Sequence, residues 1–377
     1  MELGNQRKRE QVAVASTREV ASALSAGWTD IHFLHRSLPE INRDDIDLSA
    51  SFLGRRFKYP LVISALTGGY QEAETINRTL GRLAADFDLL LEIGSQRPML
   101  GRPELSATYA AARRAAPSAF IAANIGVGQL IAQGESPPLS PEQVATLISA
   151  IEADALVVHL NFLQEAVMPE GDRQARGCLA AIGRLAATLS VPVIAKETGS
   201  GISGEQAQAL KAAGVAALDV GGAGGTSMAL VESYRARPQN GRVPHPGQTF
   251  SSWGIPTAVA VVEARGSGLP LIASGGVRTG LDGAKALALG ASLVGVAHPW
   301  LAALERGYQG AREYLEGFIG ELAVAMFLVG AAKLSELGDK KLVVTGATRD
   351  WLTALGHDIN LGREYRGINA ADIAPAV

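Results

Sequence analysis

The chain has 377 residues, 47% of them apolar and 19% charged, with a formal net charge of −3. That composition supplies a large core, excludes general disorder, and gives no whole-chain attraction to nucleic acid. A single cysteine, Cys178, excludes a disulfide framework and a cysteine-based zinc site.

The N-terminus, MELGNQRKREQ, is polar and lacks an apolar signal core. The longest apolar run, 322–332, is too short to span a bilayer. The expectation is a cytoplasmic protein with no membrane and no nucleic-acid partner. The length fits two domains or one α/β barrel with extensions.

Eight short β-rich runs follow in order. They are 61–66 (LVISAL), 89–93 (LLLEI), 119–124 (AFIAAN), 155–159 (ALVVH), 192–196 (PVIAK), 217–220 (ALDV), 270–274 (PLIAS) and 292–296 (SLVGV). Helical patterns lie between them. The stretch 141–151 has Ser140 as N-cap and Gln143 for a capping box, with proline at the first position. The stretch 204–213 runs from a Ser203 cap to a Gly214 stop, and 281–289 stops at Gly290. Strands alternating with helices argue for a parallel sheet, and near-continuous apolar strands argue for helices on both faces. Eight such units predict a closed (β/α)8 TIM barrel over 61–310. An N-terminal arm and pre-barrel segment, 1–60, precedes it. A C-terminal helical extension, 311–377, follows, with a helix expected over 313–337 that packs on the barrel or on a sister subunit.

Active sites of such barrels lie at the C-terminal strand ends. The seventh and eighth ends, SGGVR (274–278) and GVA (295–297), suit a phosphate group, because glycine lets backbone N–H groups approach its oxygens. The positive end of the helix starting near Thr279 is expected to help. Lys196 ends the fifth run, where it pairs with Glu197 or Asp219, aims a cation at a cofactor's electron-rich atoms, or serves as a Schiff-base lysine with nearby acid–base groups. His159 and Asn161 share one strand face, and Gln164 and Glu165 follow them. Mg²⁺ commonly takes one or two carboxylates plus ligand phosphates, so Glu165 is a candidate magnesium anchor. Arg7-Lys8-Arg9 is either a solubilising tail or an arm that clamps phosphate over the barrel mouth.

These stretches, taken together, resemble the FMN-dependent type 2 isopentenyl-diphosphate isomerase family. The resemblance rests on RK (7–8), TGG (67–69), GSQR (94–97), NIG (124–126), HLNFLQE (159–165) and PEGDR (169–173). VPVIAKETGSGIS (191–203), DVGGAGGTS (219–227), WGIPT (253–257), SGGVRTGLD (274–282) and LGASLVGVA (289–297) extend it along nearly the whole chain. It implies isomerisation of isopentenyl diphosphate to dimethylallyl diphosphate, with FMN, Mg²⁺ and NADPH as reductant. Reduced flavin is implied to be the acid–base catalyst. FMN contacts are implied at Ala65, Leu66, Thr67, Ser95, Asn124, Lys196, Thr226, Gly275, Gly276, Arg278 and Ala297. Substrate contacts are implied at Arg7, Lys8, Arg97, His159, Asn161 and Gln164, with Gln164 and Lys196 as the catalytic pair and Glu165 on the metal. A homo-oligomer, tetramer or octamer, is also implied. Two positions depart from the pattern: Gln11 stands where the family carries histidine, and Met228 where an aromatic is common.

The main alternative is an FMN-dependent α-hydroxy-acid oxidase or dehydrogenase. It needs a histidine beside a carboxylate-binding arginine after a late strand, and no His-x-x-Arg stands at the fifth to seventh strand ends. A flavin-free sugar-phosphate enzyme and a non-catalytic barrel are further alternatives. Convergence of polar residues at all eight strand ends weighs against the last.

Overall fold

The computed structural model describes residues 2–236 and 245–359. Three strands precede the barrel: β1 (Ile31–Phe33), β2 (Ala50–Phe52) and β3 (Arg55–Phe57). Eight strands form it: β4 (Leu61–Ile63), β5 (Leu90–Glu92), β6 (Phe120–Gly126), β7 (Ala155–Leu160), β8 (Val193–Glu197), β9 (Ala217–Asp219), β10 (Leu271–Ser274) and β11 (Leu293–Val296). β12 (Leu342–Val344) follows. Strands β4 to β11 close into a barrel in chain order, every neighbouring pair parallel. Each β-rich run of the sequence supplies one barrel strand.

Side chains alternate across a strand, so every second residue points into the barrel. The inner layer contains Val62, Leu90, Ala122, Val157, Ile194, Ala217, Ile272 and Leu293, all buried. The β2–β3 hairpin plugs its N-terminal end with Ala50, Phe52 and Phe57, and Phe57 meets Phe120 edge-on at 5.7 Å. Two residues further along each strand come Ser64, Glu92, Asn124, His159, Lys196, Asp219, Ser274 and Gly295. The interior therefore changes from hydrocarbon to polar in one step, at the C-terminal end.

The helix ends follow local chemistry. The helix Pro141–Ser149 has the full Ser140/Gln143 capping box. The helix Gly204–Ala212 starts on Ser203, whose hydroxyl accepts the Gln206 N–H at 3.3 Å. The extension differs from the expected 313–337 helix. Its helix is Gly307–Leu328, followed by a 3-10 turn, Leu334–Asp339. Gly330 has φ 64°, and Ala331 N–H bonds back to the Met326 carbonyl at 2.9 Å, which ends the helix in a left-handed cap.

Strand β1 pairs with β12 in antiparallel register, Ile31 opposite Val344. Asp30 reinforces the joint by accepting from both the N–H and the hydroxyl of Thr348, each at 2.9 Å. The N-terminal arm is a helix, Glu2–Thr17, and it lies over the barrel mouth. Among the described residues no helix is long and apolar enough to cross a membrane.

The extension docks closely. A Cβ on Gly280 would overlap the Phe318 carbonyl oxygen and the Leu322 nitrogen. Gly280→Ala must push two helices apart, which costs about 1–3 kcal/mol. A lower urea midpoint with an unchanged slope is the expected measurement.

Candidate active site

The polar strand ends and the N-terminal helix enclose a cavity of about 540 Å³. All eleven residues implied to touch flavin lie on its wall: Ala65, Leu66, Thr67, Ser95, Asn124, Lys196, Thr226, Gly275, Gly276, Arg278 and Ala297. Of the implied substrate residues, Lys8, His159 and Gln164 line it. Arg7, Arg97, Asn161 and Glu165 stand outside this wall. Gln11 and Met228, the two departures from the family pattern, both line it.

Its floor is ionic. Lys196 Nζ pairs with Asp219, lies 3.2 Å from Ser274 Oγ and 3.5 Å from Glu92 Oε2. Burial alone would lower the Lys196 pKa, but the Asp219 and Glu92 carboxylates outweigh it and the net shift is upward. Burial pushes Glu92 up to about 7, with Lys196 opposing and Asp219 adding to the rise. Glu197, the alternative partner for Lys196, alternates away from this floor. Its carboxylate accepts the N–H groups of Thr198 and Ser200, both at 2.6 Å, and burial raises it to about 7.

On β7, His159 Nδ1 sits 2.7 Å from Asn124 Oδ1. An amide oxygen only accepts, so Nδ1 carries the hydrogen and Nε2 is a bare acceptor. Burial, followed by the charges of Lys8, Arg7 and Lys196, lowers the imidazole to about 3.

HLNFLQE and PEGDR meet beside the mouth. Glu165 is buried; Oε1 accepts from Asn161 Nδ2 and Oε2 from the Asp172 N–H, both at 2.9 Å. Burial raises its pKa. Arg97, half-exposed, reaches Asp172 at 3.4 Å. Gln164 donates from Nε2 to Glu232 Oε1 at 2.7 Å, and Gln11 donates to the same oxygen at 2.7 Å. Arg235 holds the other Glu232 oxygen and also reaches Glu10 at 3.3 Å and Glu170 at 3.1 Å. The lid helix, the PEGDR loop and Gln164 thus share one carboxylate and one guanidinium.

The roof is basic. Lys8 Nζ donates to the Ser95 carbonyl and, at 3.2 Å, to the Tyr109 hydroxyl. Burial, then Arg7, lowers Lys8 to about 7. Arg7 Nε is buried with no partner.

At the phosphate corner, Asp282 accepts the N–H groups of Arg278 and Thr279 at 3.1 Å just before the helix Gly280–Ala288, and Glu321 accepts from Gly280 at 2.7 Å. The glycine turn beside it lines the cavity. Gly275 has φ 102°, and a Cβ there would overlap Gly222 backbone, so only glycine fits.

Two acids escaped the sequence reading. Glu92 sits inside the apolar run LLLEI, where the period of two alone marks it as inward. Glu232 lies on the helix Met228–Arg235, where its spacing of three from Arg235 is the only local signal.

A family model for FMN-dependent dehydrogenases matches residues 161–344. The isopentenyl-diphosphate delta-isomerase of Methanothermobacter thermautotrophicus is 43% identical over 353 residues, 93% of this chain and 97% of that one. The Thermococcus onnurineus enzyme of that name is 45% identical, covering 92% and 93%. That of Methanosarcina mazei is 42% identical, covering 98% and 97%. The chain belongs to the isopentenyl-diphosphate delta-isomerase family. Solved structures of mandelate oxidase share the barrel. One with (S)-mandelic acid has a TM-score of 0.59 at 18% identity, covering 92% of this chain and 98% of that one. Another, with a monooxide FMN adduct, has a TM-score of 0.58 at 19% identity, covering 89% and 92%. That likeness is one of fold, so the oxidase alternative gains nothing from it beyond the barrel. The isomerase family fits the strand ends, which lack the oxidase His-x-x-Arg.

With a pKa of about 3, His159 is neutral across the physiological range. Its ring nitrogen resonances are expected not to titrate between about pH 5 and 8, where a free histidine would. Nitrogen-15 NMR of the ligand-free protein checks this.

Proposed function

We propose that this protein interconverts isopentenyl diphosphate and dimethylallyl diphosphate, with reduced FMN in the barrel mouth and Mg²⁺ on the diphosphate. The carrying observation is the roof: Arg7 Nε is buried without a hydrogen-bond partner, and burial together with Arg7 pushes the neighbouring Lys8 down to about 7. Two basic groups set against each other are both stabilised by an arriving anion, and a diphosphate has the charge and reach to meet both.

The residues present fit FMN. The Gly275-Gly276 turn leaves room for a phosphate where a Cβ would not, and Lys196 puts a fixed cation on the floor. When bound and reduced, FMN supplies the proton donor and acceptor that an allylic shift needs. The chain's own groups position and exclude. Gln164 has no titratable proton near neutrality, so its part is orientation. Glu232 is an acceptor and fixes the Gln164 NH₂, which turns the Gln164 carbonyl toward Asn161, 3.4 Å away. The helix Glu2–Thr17 covers the mouth and keeps water from the reacting carbons. His159 Nε2, Asn161 and Arg97 complete the diphosphate side.

Glu165 would hold Mg²⁺. Its burial-raised pKa and the adjacent Asp172 favour a cation there, and the substrate phosphates would complete the shell. Among the described residues no cluster of three His, Cys, Asp or Glu side chains forms a metal site without them. NADPH as reductant, a cytoplasmic setting and a tetramer or octamer belong to the same reading. Exposed Leu38, Trp351 and Leu355 offer apolar surface for subunit contact. The division into 1–60, 61–310 and 311–377 belongs to this reading too, with β1 and β12 joining the outer parts.

An anaerobic assay with reduced FMN, Mg²⁺ and isopentenyl diphosphate tests the proposal; dimethylallyl diphosphate should form, and only with flavin. In the same assay Gln164→Ala should stay yellow as purified yet lose about 10²-fold in kcat. Full turnover would remove Gln164 from the mechanism. Deleting residues 1–10 should raise KM for the diphosphate by about tenfold or more while FMN affinity holds. Equal loss of both would assign the arm a folding role instead.

A further inference from the structure

Two oxygens in the polar floor have no partner: Glu92 Oε1 and Ser64 Oγ, both buried. Ile63 pairs with Leu91 across β4 and β5, so Ser64 and Glu92 come next and share the inward face. Glu92 is only 1% exposed. Its other oxygen accepts the Ala65 N–H at 3.3 Å and faces Lys196 Nζ at 3.5 Å. Lys196 is committed to Asp219 on the far side. Asp219 also accepts from Ser274 Oγ and from the Gly221 N–H at 3.2 Å. The two carboxylates are therefore unequal. Asp219 has three donors; Glu92 has one backbone N–H and the more distant share of one ammonium.

With both acids ionised, the floor holds two anions and one cation. A flavin that carries negative charge when reduced would add a third anion above Lys196. Removing water from such a site makes the excess charge costly. The least compensated member is Glu92. Its bare Oε1 accepts no hydrogen bond, so a proton there displaces no existing donor.

Resting on the FMN reading above, we infer that Glu92 takes up a proton from solvent when the flavin is reduced, and so holds the charge of the floor constant. The balance is simple. Two electrons from a reductant such as dithionite and one proton enter the ring, leaving it with one negative charge. A second proton converts the Glu92 carboxylate to the acid. No bond to carbon forms or breaks at Glu92.

The charged groups facing Glu92 are the Lys196 ammonium on β8 and the Asp219 carboxylate on β9. His159 on β7 is the other titratable side chain of the floor and is neutral. Above it, Lys8 reaches the Ser95 carbonyl from the lid helix. Before any flavin charge is added, burial already brings Glu92 to about 7. An anion nearby moves it higher, so the coupling appears above pH 7. Below that value Glu92 is protonated in both redox states and the coupling vanishes.

The test is an anaerobic spectroelectrochemical titration of the FMN holoenzyme between about pH 6 and 9, for wild type and Glu92→Gln. One proton per two electrons changes the equilibrium tenfold per pH unit, about 30 mV. Above pH 7 the wild type should show twice the slope of the variant, and below it the slopes should converge. A reduced-minus-oxidised infrared spectrum of the wild type should gain a protonated-carboxyl band that the variant lacks. A one-proton slope in wild type, or no such band, overturns the inference, and neither reading depends on the variant folding. A wild-type chain that takes up no FMN overturns both this and the proposed function. FMN uptake with isomerase turnover but a one-proton slope overturns this inference alone.

Discussion

A closed parallel barrel gives each strand one inward side chain for every two residues, and all eight strands point the same way. That constraint decides where chemistry can sit. Hydrocarbon must fill the lower levels, because nothing there can meet a buried polar group. The first level at which polar side chains can be paired is the top. Glu92, Asn124, His159, Lys196 and Asp219 reach it together, and each finds a partner on another strand: Asn124 with His159 and Lys196 with Asp219 on neighbouring strands, Glu92 with Lys196 across the barrel. The precision of the site follows from the closure of the sheet, which holds these partners at one level.

Floor and roof are electrically complementary to different things. The floor combines an ammonium with two carboxylates and is self-contained, apart from the imbalance at Glu92. The roof sets Arg7 beside Lys8, and Arg7 also acts on the Glu165 and Glu170 carboxylates. Between them, Glu232 is the point where both are tied. It accepts from Gln11 of the lid and from Gln164 of the wall while Arg235 holds its other oxygen. Lid position and Gln164 orientation are thereby coupled through one carboxylate. Gln11 serves this link as a neutral donor, which a histidine would do only in a tautomer or charge state that suits the same oxygen.

The strands, the Ser140 and Ser203 caps and the mouth residues were legible because each depends on local pattern: alternation, N-cap chemistry, glycine at strand ends. The partners were not. Nothing near Lys196 in the chain names Glu92, 104 positions earlier, as the second acid; only the barrel closure brings β5 and β8 to one level. Glu232 was hidden for the same reason, since its contacts come from the distant Gln11 and Gln164. The arm is ambiguous in the sequence because charge composition alone does not tell a solvated tail from a docked helix. The contacts of Lys8 and Gln11 make it a docked helix. The extension helix ends short of 337 because Gly330, set inside an apolar run of the sequence, is a left-handed stop.

The pairing of β1 with β12 ties residue 31 to residue 344. A ribosome adding about 5–20 residues each second leaves β1 waiting on the order of tens of seconds for its partner. During that interval the barrel can close, but Ile31, fully buried in the finished protein, has no strand against it. The pre-barrel segment is thus the last part of the fold to be secured. The lid helix, which precedes β1 in the chain, then settles over a mouth whose walls are already built.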